Sequence, residues 1–285
     1  FYLEVSGKYL QQLFTALQKA NQQHHMQYFK LHPQKHGTNL VTFISILLMQ
    51  SCYLDCIRCT VKQQRSTAHR DCDEVFQDGE RKSGLYIIEP EHSRKLVVQC
   101  HMDGCNGWTI IQQNTYNTEI TWSETWTTYK YGFGNLEEDH WLGNEYIRLI
   151  TEQKWYKVRI NLVDADNNHR YAEYDSFVLQ DENHGYAVKL GTYEGNAGDS
   201  LSSSQLKNMH DNMKFSCKDK DNDRTTLQNC ADANGGGWWY DSCQNALLNR
   251  KGGLHWTTLC HENCKKSVMM CKQMGCREHR GQYRV

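Results

Sequence analysis

Three acidic residues at alternate positions are the part of this sequence best suited to chemistry. They are Asp219, Asp221 and Asp223. Asp221 and Asp223 are two residues apart, so in extended backbone their carboxylates point to the same side. Oxygen atoms are the ligands that calcium takes, and the spacing therefore predicts a calcium site. The alternative is a solvated acidic turn with basic neighbours as counter-charges. Those neighbours are Lys218, Lys220 and Arg224.

An aromatic, glycine-rich segment follows the acidic run and lies between two cysteines. Gly236-Gly237-Trp238-Trp239-Tyr240 stands between Cys230 and Cys243. A predicted calcium-binding loop next to such a segment indicates a domain that recognises a binding partner. The sequence holds no Gly-x-Ser-x-Gly elbow, no phosphate-cradling loop and no His-Glu-x-x-His helix, which are common catalytic motifs. We therefore expect a protein that is not an enzyme.

Charge and cysteine content limit the classes of binding partner and indicate the cellular compartment. A net charge of −1 and a pI near 7.0, without a basic run, give no electrostatic reason to expect nucleic-acid or membrane-surface binding. His184 and His210 stand in polar contexts and are expected to be solvated. Thirteen cysteines are too many for an ordinary cytosolic protein, whose thiols stay reduced, so we expect a secreted, extracellular chain.

The apolar run at 40–49 predicts a signal peptide. Its ten residues are too few to span a bilayer, but they match the apolar core of a signal peptide. We predict a signal peptide at 26–51, no membrane span, and an upstream segment at 1–25 with no role in the mature protein. The alternative for the run is a buried helix. Leucine spacing within the upstream segment also favours a short amphipathic helix at 8–20.

The segment 52–70 is interpreted as a cysteine-containing tether. Cys52, Cys56 and Cys59 could pair with one another or join copies of the chain, which would give a disulfide-linked homo-oligomer. A domain is expected at 71–272, and a polar tail at 273–285.

Short segments rich in β-branched and aromatic residues, bounded by Gly, Asn or Asp, predict strands between residues 85 and 190. These segments are 85–89, 96–100, 108–113, 155–162, 170–178 and 186–190. Residues 125–131 and 144–151 favour helices, the second with Asn144 as its N-cap. Beyond residue 191 the chain has little periodicity, so we expect loops that carry function on a rigid scaffold.

An ordered series of motifs over residues 71–272 resembles the fibrinogen C-terminal domain family. The series opens with Asp71-Cys72 and ends in the acidic run and the Trp-Trp segment. The motifs between them lie at 83–86, 98–103, 107–112, 129–135, 141–144, 171–177, 195–200 and 213–216. The ending Gly252-Gly253-Leu254-His255-Trp256, with Cys260 and Cys264, is most similar to the fibrinogen-like protein 1 branch of that family.

The resemblance implies an α+β fold of the fibrinogen C-terminal type. Such a fold has a small disulfide-closed entry region, a central antiparallel sheet with flanking helices, and a loop-rich, calcium-binding C-terminal region. It also implies side-chain calcium ligands from Asp221 and Asp223, and backbone carbonyl ligands near Thr225 and Leu227. Asp219 is expected to accept hydrogen bonds beside this site rather than bind the ion.

The resemblance further implies the disulfides Cys72–Cys100 and Cys230–Cys243. Cys260 and Cys264 are close enough in sequence to bond to each other. The alternative is a zinc site built from cysteines and histidines near the C-terminus, although the paired Cys-x-x-Cys spacing that marks such sites is missing. Its candidate ligands are Cys260, Cys264, Cys271, Cys276, His255, His261 and His279.

In this family ligands bind beside the Trp-Trp loop, next to a peptide bond that is often cis and would here join Ser242 to Cys243. The candidate walls of that pocket are Tyr240, Asp241, His255 and Trp256. The loop between 249 and 253 is shorter than is usual in the family, so we expect a shallow pocket. Recognition would then rest on a broader protein surface with Tyr240 and Trp256 as anchors.

Together these features predict a secreted, non-catalytic recognition protein whose calcium-stabilised domain binds a cell-surface receptor or another extracellular protein. The competing hypothesis is a soluble innate-immune lectin that binds acetylated glycans.

Overall fold

The structure is a computed structural model that describes residues 68–275. The predicted upstream helix, the predicted signal peptide and most of the predicted tether lie outside the described residues. The same holds for residues 276–285 of the predicted tail.

A nine-stranded, entirely antiparallel sheet forms the centre of the described chain. Seven strands follow the order β1-β2-β3-β14-β6-β7-β10, and β4 and β5 pair beside β3. The bounds are β1 Gly84–Ile88, β2 Leu96–Met102, β3 Gly107–Thr115, β4 Phe133–Gly134, β5 His140–Trp141, β6 Tyr156–Val163, β7 His169–Tyr174, β10 Tyr193–Gly195 and β14 Lys266–Gln273. The α+β, mostly antiparallel fold class is therefore confirmed.

Two smaller sheets lie outside the central one. The strands β8 and β9 pair with each other, and β11, β12 and β13 form a three-stranded sheet. Their bounds are β8 Phe177–Leu179, β9 Val188–Leu190, β11 Ala246–Leu247, β12 Leu254–Trp256 and β13 Cys260–Cys264.

Four short α-helices and one 3-10 turn flank the sheets in the described residues. Their bounds are α1 Cys72–Gln77, α2 Trp126–Tyr131, α3 Asn144–Thr151, α4 Cys230–Asn234 and the 3-10 turn Glu182–His184. Both predicted helices are present. The Thr125 side chain caps α2 by accepting from the Thr128 N–H. The predicted N-cap of α3 is wrong, because Gly143 occupies that position with φ 116°. Asn144 instead accepts a hydrogen bond from the Trp141 indole at 3.1 Å.

Two predicted strands differ from the observed ones. The segment 170–178 divides into β7 and β8, because the chain leaves the central sheet at Asp175, whose backbone N–H donates to the carbonyl of Thr192. The segment 186–190 begins its strand only at Val188, since Tyr186 adopts φ 49°, which is outside the extended region.

The strand β14 lies between β3 and β6 in the central sheet, and the sequence did not predict it. Its residues 266–273 include Lys, Met and Gln, which have no strong preference for strands. It also includes Gln273, the first residue of the predicted polar tail. The last strand of residues 68–275 thus returns to the middle of the sheet that the first strands of that range build.

Buried aromatic side chains join the sheet to the loop-rich C-terminal part. Trp141, Phe215 and Trp239 contact one another with ring centroids 5.5–6.0 Å apart. All three are at most 1% exposed. Trp141 and Phe215 are stacked and the other two pairs are edge-to-face, and both arrangements stabilise a core beyond the area they bury. This cluster fixes the position of residues 215–249 against the sheet.

Candidate functional site

The acidic run forms a compact loop in which two carboxylates are linked through the backbone. Asp221 Oδ1 accepts the Asp223 N–H at 3.1 Å. Asp223 Oδ1 accepts the Thr225 N–H at 2.9 Å, and its Oδ2 accepts the Cys230 N–H at 2.8 Å. The Asp223 carboxylate therefore holds the loop to the first residue of α4.

The electrostatics of this pair favour a cation. Burial raises the pKa of Asp223, and the negative charge of Asp221 raises it further, although N–H donors from Cys230 and Thr225 oppose the rise. A carboxylate whose ionisation is disfavoured by a neighbouring negative charge gains when a cation binds beside it. The pair is thus better suited to a bound cation than to solvent alone.

Backbone oxygens are available to complete such a site. The carbonyls of Thr225 and Leu227 accept no hydrogen bond from any residue in the range 68–275. The Leu227 side chain is 92% exposed. No group of three or more His, Cys, Asp or Glu side chains placed to hold a metal ion occurs in residues 68–275, so the remaining ligands would be carbonyls or water. Two carboxylates with two carbonyls fit the all-oxygen preference of calcium.

Asp219 is engaged elsewhere. Its Oδ1 accepts the Trp126 N–H at 2.7 Å at the start of α2, and it also accepts from the Cys217 thiol at 3.1 Å. Burial raises the pKa of Asp219, but these donors outweigh it and the pKa lies below its usual value. Asp219 therefore holds the acidic loop to α2.

Three disulfides occur in the described residues, and they join the pairs expected above. Cys72 bonds to Cys100, Cys230 to Cys243 and Cys260 to Cys264, with Cα–Cα distances of 5.5, 5.6 and 5.6 Å. Within residues 68–275, Cys105 is exposed and has no disulfide partner, and Cys217 and Cys271 are buried and likewise have none there.

The disulfide between Cys260 and Cys264 removes two candidate ligands of the alternative zinc site. Cys260 and Cys264 are bonded to each other, so neither offers a thiolate. Cys271 is fully buried within β14. Cys276 and His279 lie outside the described residues.

Two predicted pocket residues are core residues. Tyr240 and Trp256 are each 0% exposed, so the expectation that they line a pocket or anchor a partner is wrong. The Tyr240 hydroxyl donates to the Gly236 carbonyl at 2.7 Å, and the Trp256 indole donates to the Gly198 carbonyl at 3.0 Å. Aromatic rings with a satisfied polar group fill the core beneath the loops. His255 is half-buried and pairs with the Thr257 hydroxyl.

The surface beside the second loop cysteine is polar. The Ser242–Cys243 peptide bond is cis, with Ser242 exposed and Cys243 half-buried. Asp241, next to them, is 3% exposed. Its carboxylate accepts two hydrogen bonds from the Arg224 guanidinium at 2.6 Å and one from the Met209 N–H at 3.1 Å. Burial opposes ionisation of Asp241, but Arg224, the Met209 N–H and the nearby His210 together outweigh it, and the pKa lies below its usual value.

Arg224 is a candidate site residue that the sequence indicates only as a local counter-charge to the acidic run. It directly follows Asp223, and its side chain reaches Asp241 across 17 positions of sequence. The position of Arg224 next to the predicted calcium ligand Asp223 suggests a role at the site, but nothing in the sequence identifies Asp241 as its partner. The bidentate pair joins the acidic loop to the Ser242 loop.

His210 is also placed differently from the prediction, because it is 0% exposed rather than solvated. Its Nδ1 lies 2.7 Å from the Trp239 carbonyl, and its Nε2 lies 3.0 Å from the N–H groups of Asn245 and Ala246. These partners require a neutral ring that donates from Nδ1 and accepts at Nε2. Burial lowers the pKa of His210 to about 4.

Comparison with known proteins agrees with this architecture. The family model of fibrinogen beta and gamma chains, C-terminal globular domain, matches residues 68–273. The chain belongs to this family.

Two curated relatives indicate which branch of the family this chain resembles. The chain is 50% identical over 193 residues to a fibrinogen-like protein 1-like protein of Gallus gallus, with 67% of each chain covered. It is 40% identical over 190 residues to fibrinogen-like protein 1 of Bos taurus, covering 64% of this chain and 60% of the relative. The predicted similarity to the fibrinogen-like protein 1 branch is confirmed. The match spans less than two thirds of the bovine relative.

Two solved structures share the fold. The fibrinogen-like globe domain of human ANGPTL2 matches with a TM-score of 0.66 and 34% identity, covering 72% of this chain and 99% of that domain. A lamprey fibrin D-dimer, complexed with the peptide Gly-His-Arg-Pro-amide, matches with a TM-score of 0.68 and 27% identity. That match covers 93% of this chain and 94% of the lamprey chain.

Proposed function

We propose that this chain is a secreted, non-catalytic recognition protein whose calcium-stabilised fibrinogen-like domain binds a protein on the cell surface. Membership of the fibrinogen family supports the recognition role. Three disulfides within 68–275 support secretion, because such bonds persist in oxidising compartments.

No helix within the described range 68–275 is long and apolar enough to cross a membrane.

The observation that carries the proposal is a double connection between the acidic loop and the surface at Ser242. One connection runs from Arg224 to the Asp241 carboxylate. The other runs from Asp223 to the Cys230 N–H, and then through the disulfide to Cys243. Calcium, when bound, would supply the positive charge that the paired carboxylates lack. The chain's own contacts would then hold the Ser242 surface in one conformation, which lowers the entropic cost of binding a partner.

The surface favours a protein partner. The two aromatic rings that would form a pocket for a small ligand are buried. The Arg224 side chain is 60% exposed while it holds Asp241. A partially exposed guanidinium that is already oriented by a buried carboxylate is suited to hydrogen-bond a partner, and Arg is enriched at the centres of protein interfaces.

A group of side-chain amides beside Cys243 supports a second candidate, a lectin. Gln244 Nε2 donates to Asn234 Oδ1 at 3.0 Å. Asn208 Nδ2 lies 3.5 Å from the Gln244 carbonyl. Amide groups of this kind also hydrogen-bond the hydroxyl and acetyl groups of glycans.

The test compares retention of the purified protein on intact cells and on an acetylated resin, each with calcium and with EDTA. We expect calcium-dependent retention on cells that is abolished when the cells are first treated with protease. Arg224→Ala should weaken retention, whereas Arg81→Ala, on the α1–β1 connection, should not. Calcium-dependent retention on the resin alone, released by free N-acetylated sugar, would replace the receptor hypothesis with the lectin.

A further inference from the structure

We propose that a polar cavity between the β1–β2 loop and the helices α2 and α3 binds an acidic sugar, meaning a pyranose that carries a sulfate or a carboxylate group. The cavity has a volume of about 410 Å³, which is at the small end of the range for ligand pockets and suits one sugar unit. None of its lining residues belongs to the acidic loop or to the surface at Ser242. They are His92, Ser93, Arg94, Tyr131, Tyr146 and Leu149.

Two helices supply the aromatic part of this cavity. Tyr146 and Leu149 are three residues apart on α3, so their side chains share one face of that helix. Both are buried, and they form the floor. Tyr131 is the last residue of α2 and is 52% exposed at the rim. Its ring centroid lies 6.4 Å from that of Tyr146.

The β1–β2 loop supplies the remaining wall, and hydrogen bonds hold it in place. The Glu91 N–H donates to Gln153 Oε1 at 2.7 Å, which fastens the loop to the residues that follow α3. The Ser93 N–H donates to the Pro90 carbonyl at 3.0 Å and closes a tight turn. The cavity is therefore formed before a ligand arrives, which lowers the entropic cost of binding.

The polar groups of the cavity are mainly hydrogen-bond donors. Arg94 Nη2 donates to the Tyr146 hydroxyl at 2.7 Å, so a buried side chain orients the guanidinium. No carboxylate within residues 68–275 pairs with Arg94, which leaves its other N–H groups for a ligand. The Tyr146 hydroxyl accepts this bond and donates to no residue in that range. A guanidinium fork matches the oxygens of a sulfate or a carboxylate.

The charge around the cavity favours an anionic group. No carboxylate is among the lining residues. The neighbouring Glu91 pairs with Arg70 at 2.9 Å, and Glu182 pairs with Lys130 at 2.6 Å. These two carboxylates are occupied by other cations, so the positive charge of Arg94 remains available to attract an anion.

The rest of the lining favours a sugar over an acidic peptide. The exposed Tyr131 ring offers a flat apolar surface to the C–H face of a pyranose. The hydroxyls of Ser93, Tyr131 and Tyr146 can exchange hydrogen bonds with sugar hydroxyls. Among the six described lining residues Leu149 alone is aliphatic, and it is buried. The cavity therefore offers little apolar surface to anchor a peptide side chain.

Calorimetric titration of the full chain with a sulfated glucose and with glucuronic acid tests the proposal, and glucose is the neutral control. We expect saturable binding of at least one of the two acidic sugars and none of glucose. Added salt should weaken the binding, because it screens the contact between the anion and the guanidinium. The binding should persist in EDTA, since no lining residue lies in the acidic loop.

Substitutions assign the binding to the cavity. Arg94→Gln should weaken it by about tenfold or more, because charge-assisted hydrogen bonds to the anion are lost. Tyr146→Phe keeps the buried ring but removes the hydroxyl that orients Arg94, so it should also weaken binding. Lys95→Gln is the matched control, because Lys95 is an exposed cation next to Arg94 that does not line the cavity. Its substitution should change the affinity by less than about twofold.

Several results would overturn the proposal. Failure of both acidic sugars to bind is the first, and equal losses in Arg94→Gln and Lys95→Gln, which would indicate general attraction by surface charge, are the second. Binding of inorganic sulfate as tight as that of the sulfated sugar would show an anion site that does not recognise sugar. Binding of a tetraglutamate peptide with neither sugar bound would assign the cavity to peptides. Binding that required calcium would place the sugar at the acidic loop.

Discussion

At the scale of single residues, Asp223 connects the metal hypothesis to the rest of the domain. It accepts hydrogen bonds from Thr225 and Cys230 while its pKa is raised by burial and by Asp221. A carboxylate that anchors its own loop and has no ion-pair partner within residues 68–275 is one whose environment changes most when a cation binds.

Asp221→Ala and Asp223→Ala are each expected to abolish stabilisation by calcium. A cation that binds only the folded state at 100 times its Kd stabilises it by about 2.7 kcal/mol, so calcium should raise the Tm of the parent by several degrees. Differential scanning fluorimetry with calcium and with EDTA measures this. Asp232→Asn is the matched control, because Asp232 is an exposed acidic residue in the first turn of α4. An equal calcium shift in the parent and in both alanine variants would remove the site assignment.

His210 gives a pH prediction. Its pKa is about 4 in the folded state, against an ordinary value of 6.5. The unfolded chain therefore binds a proton that the folded chain does not between pH 6.5 and pH 4. The contribution of His210 is complete above pH 6.5 and is lost as the pH falls toward 4. The shift corresponds to about 3 kcal/mol.

Urea unfolding at several pH values measures this contribution. His140 and His255 also have pKa values lowered by burial. Between pH 6.5 and pH 4 the free energy of unfolding of the parent should therefore fall by more than the contribution of His210 alone. His210→Gln should be less stable at pH 7 but lose less stability on acidification. Parallel curves for the parent and the variant would show that His210 titrates normally.

At the scale of elements, the Trp-Trp loop at 236–240 packs closely against its neighbours because its two glycines carry no side chain. A Cβ on Gly236 would lie 1.6 Å from the Asn249 carbonyl oxygen. A Cβ on Gly237 would lie 2.6 Å from the Tyr129 ring. The glycines in the Trp-Trp motif thus allow the loop to pack directly on the residues that follow it and on α2.

Gly236→Ala is expected to destabilise the domain by more than 2 kcal/mol, since the contact is with backbone that cannot move aside. Gly235→Asn is the control. Gly235 ends α4 at φ +71° with open space around it, and Asn tolerates that conformation. Its cost should be a few tenths of a kcal/mol. Chemical denaturation compares the two variants, and similar losses would contradict the close-packing explanation.

Removing the Cys230–Cys243 disulfide tests the connection between elements. The bond closes a span of 13 positions, for which loop entropy predicts a contribution of about 3 kcal/mol. The double variant Cys230→Ala/Cys243→Ala should unfold more easily and also bind calcium more weakly, because the Cys230 N–H orients Asp223. Calorimetry with calcium measures the second effect. Unchanged calcium affinity in a folded double variant would show that the loop is independent of the disulfide.

At the scale of the whole molecule, a buried polar network joins the central sheet to the C-terminal part. Gln112 on β3 donates to the Leu248 carbonyl at 3.0 Å and contacts the Ser267 hydroxyl of β14 at 3.0 Å. Asn114 donates to the same carbonyl at 2.8 Å. All of these groups are buried, so each depends on the others for its hydrogen bonds.

Gln112→Leu is expected to cost about 2–4 kcal/mol, because it leaves several buried polar groups without partners. It should also lower the protection of residues 246–249 from hydrogen exchange more than that of β1. Gln113→Leu is the control, since Gln113 is the next residue of β3 and its side chain is only partly buried. Equal effects of the two substitutions would contradict a role for the network in holding the two parts together.

The sequence by itself determined the family, the antiparallel α+β class and both helices of the middle region. Those features depend on local spacing and on ordered motifs, which survive without knowledge of contacts. The calcium ligands, by contrast, remain a prediction at both levels.

Only the tertiary structure decided which residues are exposed and which distant ones meet. Tyr240 and Trp256 have the composition of binding anchors, but long-range packing buries them. His210 lies among polar neighbours in sequence, and folding surrounds it with backbone groups of residues 239–246. Arg224 finds Asp241, and β14 enters the centre of the sheet, through contacts that span many residues. Such pairings depend on the free energy of the whole core, which no local pattern in the sequence encodes.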